Sequence, residues 1–323
     1  MGDNYGISHT LAIEEALVFP GDLYIGGDSH TNMAGVFGAL AVGMGHTDVA
    51  YALMHGVTWL RVPESILIEI EGSMKPETMA KDLILKILGD IGSGGADYKV
   101  MEFRGPSLKN MNIDERATLT NMTTEASAKS GIMEPDEMVL SYIESKTGLK
   151  PKPIYSDPNA WYADQYTYDL SELEPMIAKP SSPDNVSPVR EVSNIEVDRV
   201  YIGSCIGAKL TDLRAVAKIL KGRRVKVRTE ILPASYKIYR QALKEGLIDI
   251  FIESGALLGP PTCGACFGGH MGVVADGETV VSTTNRNYPG RMGSKNARVY
   301  LASPLTAAAS AVTGKITDPG DLL

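Results

Sequence analysis

The chain reads as an α/β protein built on mostly parallel sheets. Three observations predict this. From residue 197 onward, short apolar runs alternate with stretches of helical spacing, the pattern of strands joined by crossover helices. Several runs end in glycine-rich turns, as at Gly26-Gly27-Asp28 and Gly203-Ser204-Cys205. The apolar fraction is 44% over 323 residues, enough for a large core.

In chain order, Leu23-Tyr24-Ile25 reads as a short strand ending at Gly26-Gly27-Asp28-Ser29-His30-Thr31. The small residues from Ala34 to Gly45 are poor helix formers, so this stretch is expected to lie close against another backbone. Thr47-Asp48 is expected to cap a helix over Val49 to His55. Ser65 to Ile70 alternates as a strand. Lys75-Pro76-Glu77 opens a helix with Leu83, Ile84, Ile87 and Leu88 on one face. Tyr98 to Phe103 reads as a strand, and Asp114 as the cap of a helix through Leu119, Met122 and Ala126. Residues 150–195, rich in Pro, Ser, Asp and Asn, read as a long connection.

The last part is the clearest. Strands are expected at Val200 to Ile202, Val225 to Leu232, Ile248 to Phe251, Thr279 to Val281 and Val299 to Ala302. Helices are expected at Asp212 to Leu220, Tyr236 to Lys244 and Ala307 to Val312. Cys205 follows the first of these strands, just before a helix expected to be capped by Thr211. In such sheets ligands bind beyond the carboxyl ends of the strands.

Net charge is −8, which argues against nucleic acid and anionic membranes as partners. No run approaches about 18 uninterrupted apolar residues, so no membrane span is expected. The start, Met1 to Gly6, lacks the basic and apolar regions of a signal peptide. Three cysteines, an odd and sparse number, fit a reducing, cytoplasmic setting.

Those cysteines carry the chemistry. Cys205 stands alone, and Cys263 and Cys266 form a C-x-x-C pair inside a Gly/Pro-rich loop. Three thiolates make a soft metal site. An iron–sulfur cube with three cysteine ligands keeps one iron open to water or substrate. A structural zinc on Cys205, Cys263, Cys266 and His270 is the rival. Buried cysteines acting as small hydrophobes are the bland reading. Asp28-Ser29-His30 places a carboxylate near an imidazole, or is simply a turn. His9 is weak alone. Glu102 points opposite to Met101 and Phe103, so it faces solvent or is a desolvated acid. Thr283 to Arg291 sets Arg286 and Arg291 beside Asn285 and Asn287, a set suited to a carboxylate.

Taken in order, Gly6-Ile7-Ser8-His9, Gly27-Asp28-Ser29-His30-Thr31, Met101-Glu102-Phe103, Gly203-Ser204-Cys205, Cys263-Gly264-Ala265-Cys266, Thr283 through Gly293 and Tyr300-Leu301-Ala302-Ser303-Pro304 resemble the signature series of the aconitase superfamily. Within it they look most like the large, catalytic subunits of the isopropylmalate dehydratases. The resemblance runs through essentially the whole chain. It implies α/β/α units with mostly parallel sheets around a central cluster cleft, divided as residues 1–60, 61–178 and 179–323. It implies a [4Fe–4S] cluster on Cys205, Cys263 and Cys266 with one iron not held by a thiolate. Asp28, His30, His9 and Glu102 match catalytic positions. Ser29, Asn285, Arg286 and Arg291 match substrate-binding ones.

The implied activity is a hydro-lyase that isomerises a 2-hydroxy dicarboxylic acid by dehydration and rehydration, as in leucine biosynthesis. Homoaconitate, citramalate or dimethylmalate are the alternative substrates. A truncated, non-catalytic relic with a structural metal is the alternative of another class. Three departures from the family pattern stand out. The family's N-terminal segment with an Asp-His pair has no match before Gly6, so the chain reads as a shortened form. Ile206-Gly207-Ala208-Lys209 stands where many members have Thr-Asn-Gly-Arg. The swivelling domain with the serine base has no match either, so a small-subunit partner is expected.

Overall fold

The computed structural model describes residues 5–323. Residues 1–4, part of the Met1 to Gly6 start compared above with a signal peptide, lie outside the described residues. Two compact units form. One takes residues 74–90 and 172–323 with the described residues up to Leu11; the other takes 12–73 and 91–171.

The first unit is organised by a seven-stranded sheet. Its spatial order is Leu257–Leu258, Arg228–Ile231, Arg199–Ile202, Thr279–Ser282, Arg298–Ala302, Met176–Ala178, Val186–Pro188. The first five strands run parallel; Met176–Ala178 is antiparallel to both of its neighbours. Arg199–Ile202, Thr279–Ser282 and Arg298–Ala302 are almost wholly buried runs, as expected of a parallel sheet covered on both faces. Helices Leu210–Leu220 and Pro304–Thr313 pack on each other against it. Chain order reverses at the centre. From Arg199–Ile202 the chain moves outward to Arg228–Ile231 and Leu257–Leu258, then returns to Thr279–Ser282 on the other side. That is a topological switch point, where loops of adjacent strands diverge and open a crevice.

The second unit carries an all-parallel four-stranded sheet, ordered Ser130–Met133, Val100–Arg104, Ser65–Glu71, Asp164–Asp169. A two-stranded parallel pair, Leu23–Gly26 with Leu40–Gly43, lies in the same unit. Between those two strands the chain makes a 3-10 helix, Ser29–Phe37. It presses on the strand Ser130–Met133. A Cβ on Gly35 would stand 1.8 Å from the Gly131 carbonyl oxygen, which meets the expectation of close backbone approach. Gly35→Ala is expected to destabilise the protein by about 3 kcal/mol or more, because a carbonyl in a sheet cannot move aside. The check is the midpoint of urea unfolding, which should fall without a change in slope.

Several sequence expectations shift. The helix His46–His55 is capped by Gly45 with no side-chain bond, so Thr47 and Asp48 lie inside it. Asn112, not Asp114, caps Ile113–Asn121, through a reciprocal pair of bonds with Glu115. Lys209 holds the cap position of Leu210–Leu220, where Thr211 was expected. Ile248 to Phe251 lies in a helix, Leu247–Ser254, between two left-handed glycines. The stretch 150–195 holds three strands, Asp164–Asp169, Met176–Ala178 and Val186–Pro188. Among the described residues no helix is long and apolar enough to cross a membrane.

Candidate active site

The loops that leave the central strands at the switch point carry Cys205, Asn285, Arg286 and Arg291. Cys205 lies just beyond the end of Arg199–Ile202, after Gly203 and Ser204. Ser204 adopts φ 77°, a left-handed conformation that costs a non-glycine residue about 1–3 kcal/mol. Its Oγ donates to Asn285 Oδ1 at 3.1 Å and accepts from the Ile206 amide at 3.3 Å. These bonds hold the turn that brings Cys205 to Asn285. The Asn285 amide group lies between two thiols: Oδ1 is 3.8 Å from both Cys205 Sγ and Cys266 Sγ, and Nδ2 is 3.7 Å from Cys205 Sγ.

The C-x-x-C pair follows Leu257–Leu258. Cys266 closes a 3-10 turn by donating its amide to the Cys263 carbonyl at 3.1 Å. Tyr201, on the central strand, donates its hydroxyl to the same carbonyl at 2.9 Å. Burial, and then Cys266, push the Tyr201 phenol well above its usual range. Beneath, Arg199 makes a two-pronged pair with Glu230 at 2.7 and 2.6 Å and donates to the Val273 carbonyl at 3.1 Å. Both residues are buried, so the pair orients the 270–274 segment more than it adds stability.

Cys266 is pushed up to about 11, first by burial and then by Cys205, with Arg291 and the Asn285 main chain pulling the other way. Arg291 therefore sits at the thiols. Its Nε is buried without a hydrogen-bond partner. Arg286 is half-buried on the same loop. Asn287 turns away instead, donating to the carbonyls of Lys179 at 2.8 Å and Val299 at 3.1 Å, which anchors the loop. His270 is exposed. Among the described residues, no three His, Cys, Asp or Glu side chains gather as they would on a single metal ion. His9 is buried in the first turn of Ser8–Glu14, with Ser8 Oγ 3.3 Å from its Nδ1.

In the second unit, Asp28 caps the 3-10 helix Ser29–Phe37: its Oδ1 accepts from the His30 amide at 2.7 Å. The same oxygen lies 3.4 Å from His30 Nδ1. His30 Nε2 is 3.0 Å from Glu125 Oε1. The imidazole is thus held at both nitrogens by carboxylates, and Asp28 acts as turn former and histidine partner together. Asp28 is 57% exposed and Glu125 0%. Ser29 is exposed beside them.

Glu125 was not singled out from the sequence. It lies 95 positions from His30 in a stretch with no motif, and only its burial marks it. It is seated by bonds between the same two segments, Asn32 Nδ2 to Thr123 Oγ1 at 2.7 Å and Thr120 Oγ1 to the Met33 carbonyl at 3.0 Å. Glu102 is in a different set of contacts. Its carboxylate takes Arg104 at 2.6 Å, Tyr162 at 3.1 Å and Ser156 at 2.9 Å. It does not face open solvent, because Arg104 shares its face of the strand two residues on.

The family then follows. A model of the Aconitase family (aconitate hydratase) matches residues 1–196 and 190–314. The chain belongs to the aconitase family. Among curated proteins it is 48% identical to the 3-isopropylmalate dehydratase large subunit 1 of Pyrococcus furiosus, across 100% of this chain and 77% of that one. It is 47% identical to the 3-isopropylmalate dehydratase large subunit of Aquifex aeolicus, across 98% of this chain and 75% of that one. The solved structure of aconitase X from Thermococcus kodakaraensis, in its holo form, aligns with a TM-score of 0.48 at 15% identity, over 83% of this chain and 63% of that one.

Proposed function

We propose that the chain is the catalytic large subunit of an iron–sulfur hydro-lyase, acting with a small subunit to isomerise a 2-hydroxy dicarboxylic acid by dehydration and rehydration. The relatives' names favour 3-isopropylmalate as substrate. The observation that carries the reading is the meeting of Cys205, Cys266, Asn285 and Arg291 at the switch point of the parallel sheet.

The donor set fits an iron–sulfur cluster. Cys205, Cys263 and Cys266 are soft donors on glycine-rich loops. They would hold a [4Fe–4S] cluster with one iron left without a thiolate. When bound, such a cluster supplies a Lewis acid that polarises hydroxyl and carboxylate oxygens. The exposed position of His270 favours this set over a Cys₃His zinc.

The chain's own groups divide the remaining work. Arg291 and Arg286 offer planar guanidinium forks for the two carboxylates, and the buried, unpartnered Arg291 Nε is one donor such a ligand would satisfy. Asn285 offers an amide beside the thiols. His30, in the other unit, takes the proposed role of proton transfer at a departing or returning hydroxyl. Asp28 and Glu125 fix its orientation. His9 and Ser29 keep roles in shaping the site and touching substrate. Glu102 keeps a proposed catalytic place as an acid held by Arg104 and Tyr162. Removal of the proton from the neighbouring carbon is left to the small subunit. What supports a division near 1–60, 61–178 and 179–323 is the set of three sheets; compactness instead groups 12–73 with 91–171 and joins 74–90 to 172–323.

The test is anaerobic reconstitution with iron and sulfide, addition of a small subunit, and assay of isopropylmalate, citramalate, homoaconitate and dimethylmalate. A brown, iron-loaded protein that turns over at least one of them is expected. Stoichiometric zinc with no iron uptake, or iron uptake with no turnover of any of the four, would sink the reading.

A further inference from the structure

Two loops of the thiol-bearing unit leave adjacent central strands. Gly203 to Gly207 follows Arg199–Ile202, and Thr283 to Arg291 follows Thr279–Ser282. One side chain ties the two together. Thr283 is wholly buried. Its Oγ1 accepts from the Gly203 amide at 2.9 Å and donates to the Gly203 carbonyl at 2.9 Å, with the Gly207 carbonyl at 3.5 Å. A single hydroxyl thus satisfies both backbone groups of a residue two positions before Cys205. The fit leaves no slack. A Cβ on Gly207 would stand 2.1 Å from Thr283 Oγ1 and 2.3 Å from its Cβ, so only glycine lets the Cys205 loop lie on the threonine.

The same threonine is held from its other side. Lys81 is 2% exposed. Its Nζ donates to the Thr284 carbonyl at 2.7 Å and lies 3.5 Å from the Thr283 carbonyl. An ammonium is costly to bury, and here it is spent on two carbonyls immediately before Asn285. Asn285 is the residue whose amide touches both Cys205 and Cys266.

We propose that Thr283, with Lys81 behind it, is a positioning residue that sets the spacing between Cys205 and the Asn285–Arg291 loop. The proposal rests on the roles given above to Cys205, Asn285 and Arg291. A sulfur donor and a carboxylate-binding arginine on separate loops work together only when their separation is fixed to about 0.5 Å, and loops are the least rigid supports for it. The hydroxyl makes the two loops one body.

Shape and hydrogen bonding separate cleanly at this position. Thr283→Val keeps the shape and removes the hydroxyl; Thr283→Ser keeps the hydroxyl and removes the methyl. Each is made in the full chain, reconstituted anaerobically and paired with the small subunit. Iron retained against a chelator, the spectrum of the oxidised cluster, KM and kcat are read. Groups that orient metal ligands typically change metal affinity or activity by about 10- to 100-fold when removed, and a loss of that size is expected for Thr283→Val. Thr283→Ser should stay close to the parent. A valine variant that matches the parent, or a serine variant worse than the valine one, overturns the proposal.

If Thr283→Val does not fold, Lys81→Met takes its place with the same expected loss, and parental iron retention there overturns it. If the parent takes up no iron, the functional reading fails but the clamp is still tested. Alkylation of Cys205 in the metal-free chain, followed by mass spectrometry, should be faster in Thr283→Val and unchanged in Thr283→Ser. Equal rates in all three chains overturn it.

Discussion

Cys263→Ser is expected to abolish iron uptake and turnover together while leaving the fold intact. The separation of effects comes from where Cys263 sits. Its carbonyl receives the Tyr201 hydroxyl and the Cys266 amide, and both bonds are to the main chain. Serine keeps those bonds and nearly the same volume, so circular dichroism and the thermal midpoint should hold. What changes is the donor. A serine oxygen is harder and far less acidic than a thiol, and soft iron–sulfur chemistry selects sulfur. With one of the three proposed protein ligands gone, the other two thiols should not retain a cluster through gel filtration. Iron and sulfide analysis after reconstitution reads the outcome. A serine variant that holds parental iron would show that Cys263 is not a ligand.

Glu125→Gln is expected to lower kcat by about 10²- to 10⁴-fold, the scale seen when a proton-transferring imidazole loses its orienting carboxylate, with KM much less affected. Two carboxylates hold His30, and their surroundings decide which one matters more. Glu125 is completely buried and 3.0 Å from Nε2. Asp28 is more than half exposed, 3.4 Å from Nδ1, and already committed to the His30 amide at 2.7 Å. Water screens the second pair and not the first. Asp28→Asn should therefore cost less than Glu125→Gln. Glu125→Ala should in addition lower stability by about 1–3 kcal/mol, because it strips a buried imidazole nitrogen of its partner. Steady-state kinetics and thermal unfolding of the three variants decide the order. A larger loss for Asp28→Asn than for Glu125→Gln would assign the leading role to Asp28.

The parts of this molecule that were legible in the sequence are those specified locally. Tyr236–Lys244 appears at the bounds read from its periodicity, because Ser235 supplies a cap and its apolar residues recur at helical spacing. Cys205 follows a strand as expected, because Val200-Tyr201-Ile202 ahead of it is a β-branched and aromatic run ended by glycine, and the strand it forms is wholly buried. The misreadings share a cause. Ile248 to Phe251 is apolar and short, and such runs fit either strand or helix. What settles it is the left-handed glycine at each end, Gly246 and Gly255, which punctuates a helix. Asp164–Asp169 is polar and half-exposed, as suits a strand at the edge of its sheet, so it carries no apolar signal.

The site was half legible for the same reason. Asp28, His30, Cys205 and Asn285 lie in compact motifs. Glu125 and Lys81 reach their partners only through the tertiary fold, across 95 and about 200 positions. Burial identifies them, and burial of a charged side chain is not written in its neighbours.

The polypeptide passes between its two units four times, at residues 11/12, 73/74, 90/91 and 171/172. Neither unit is therefore a stretch that could be excised, and no single cut yields a self-sufficient half. The order of synthesis inherits the problem. A ribosome delivers helix Ala80–Ile91 some 200 residues before Thr283 arrives to accept its lysine. At roughly 5–20 residues per second that delay is on the order of 10–40 s. For that interval the apolar face of the nascent helix waits for the carbonyls that will take its buried ammonium.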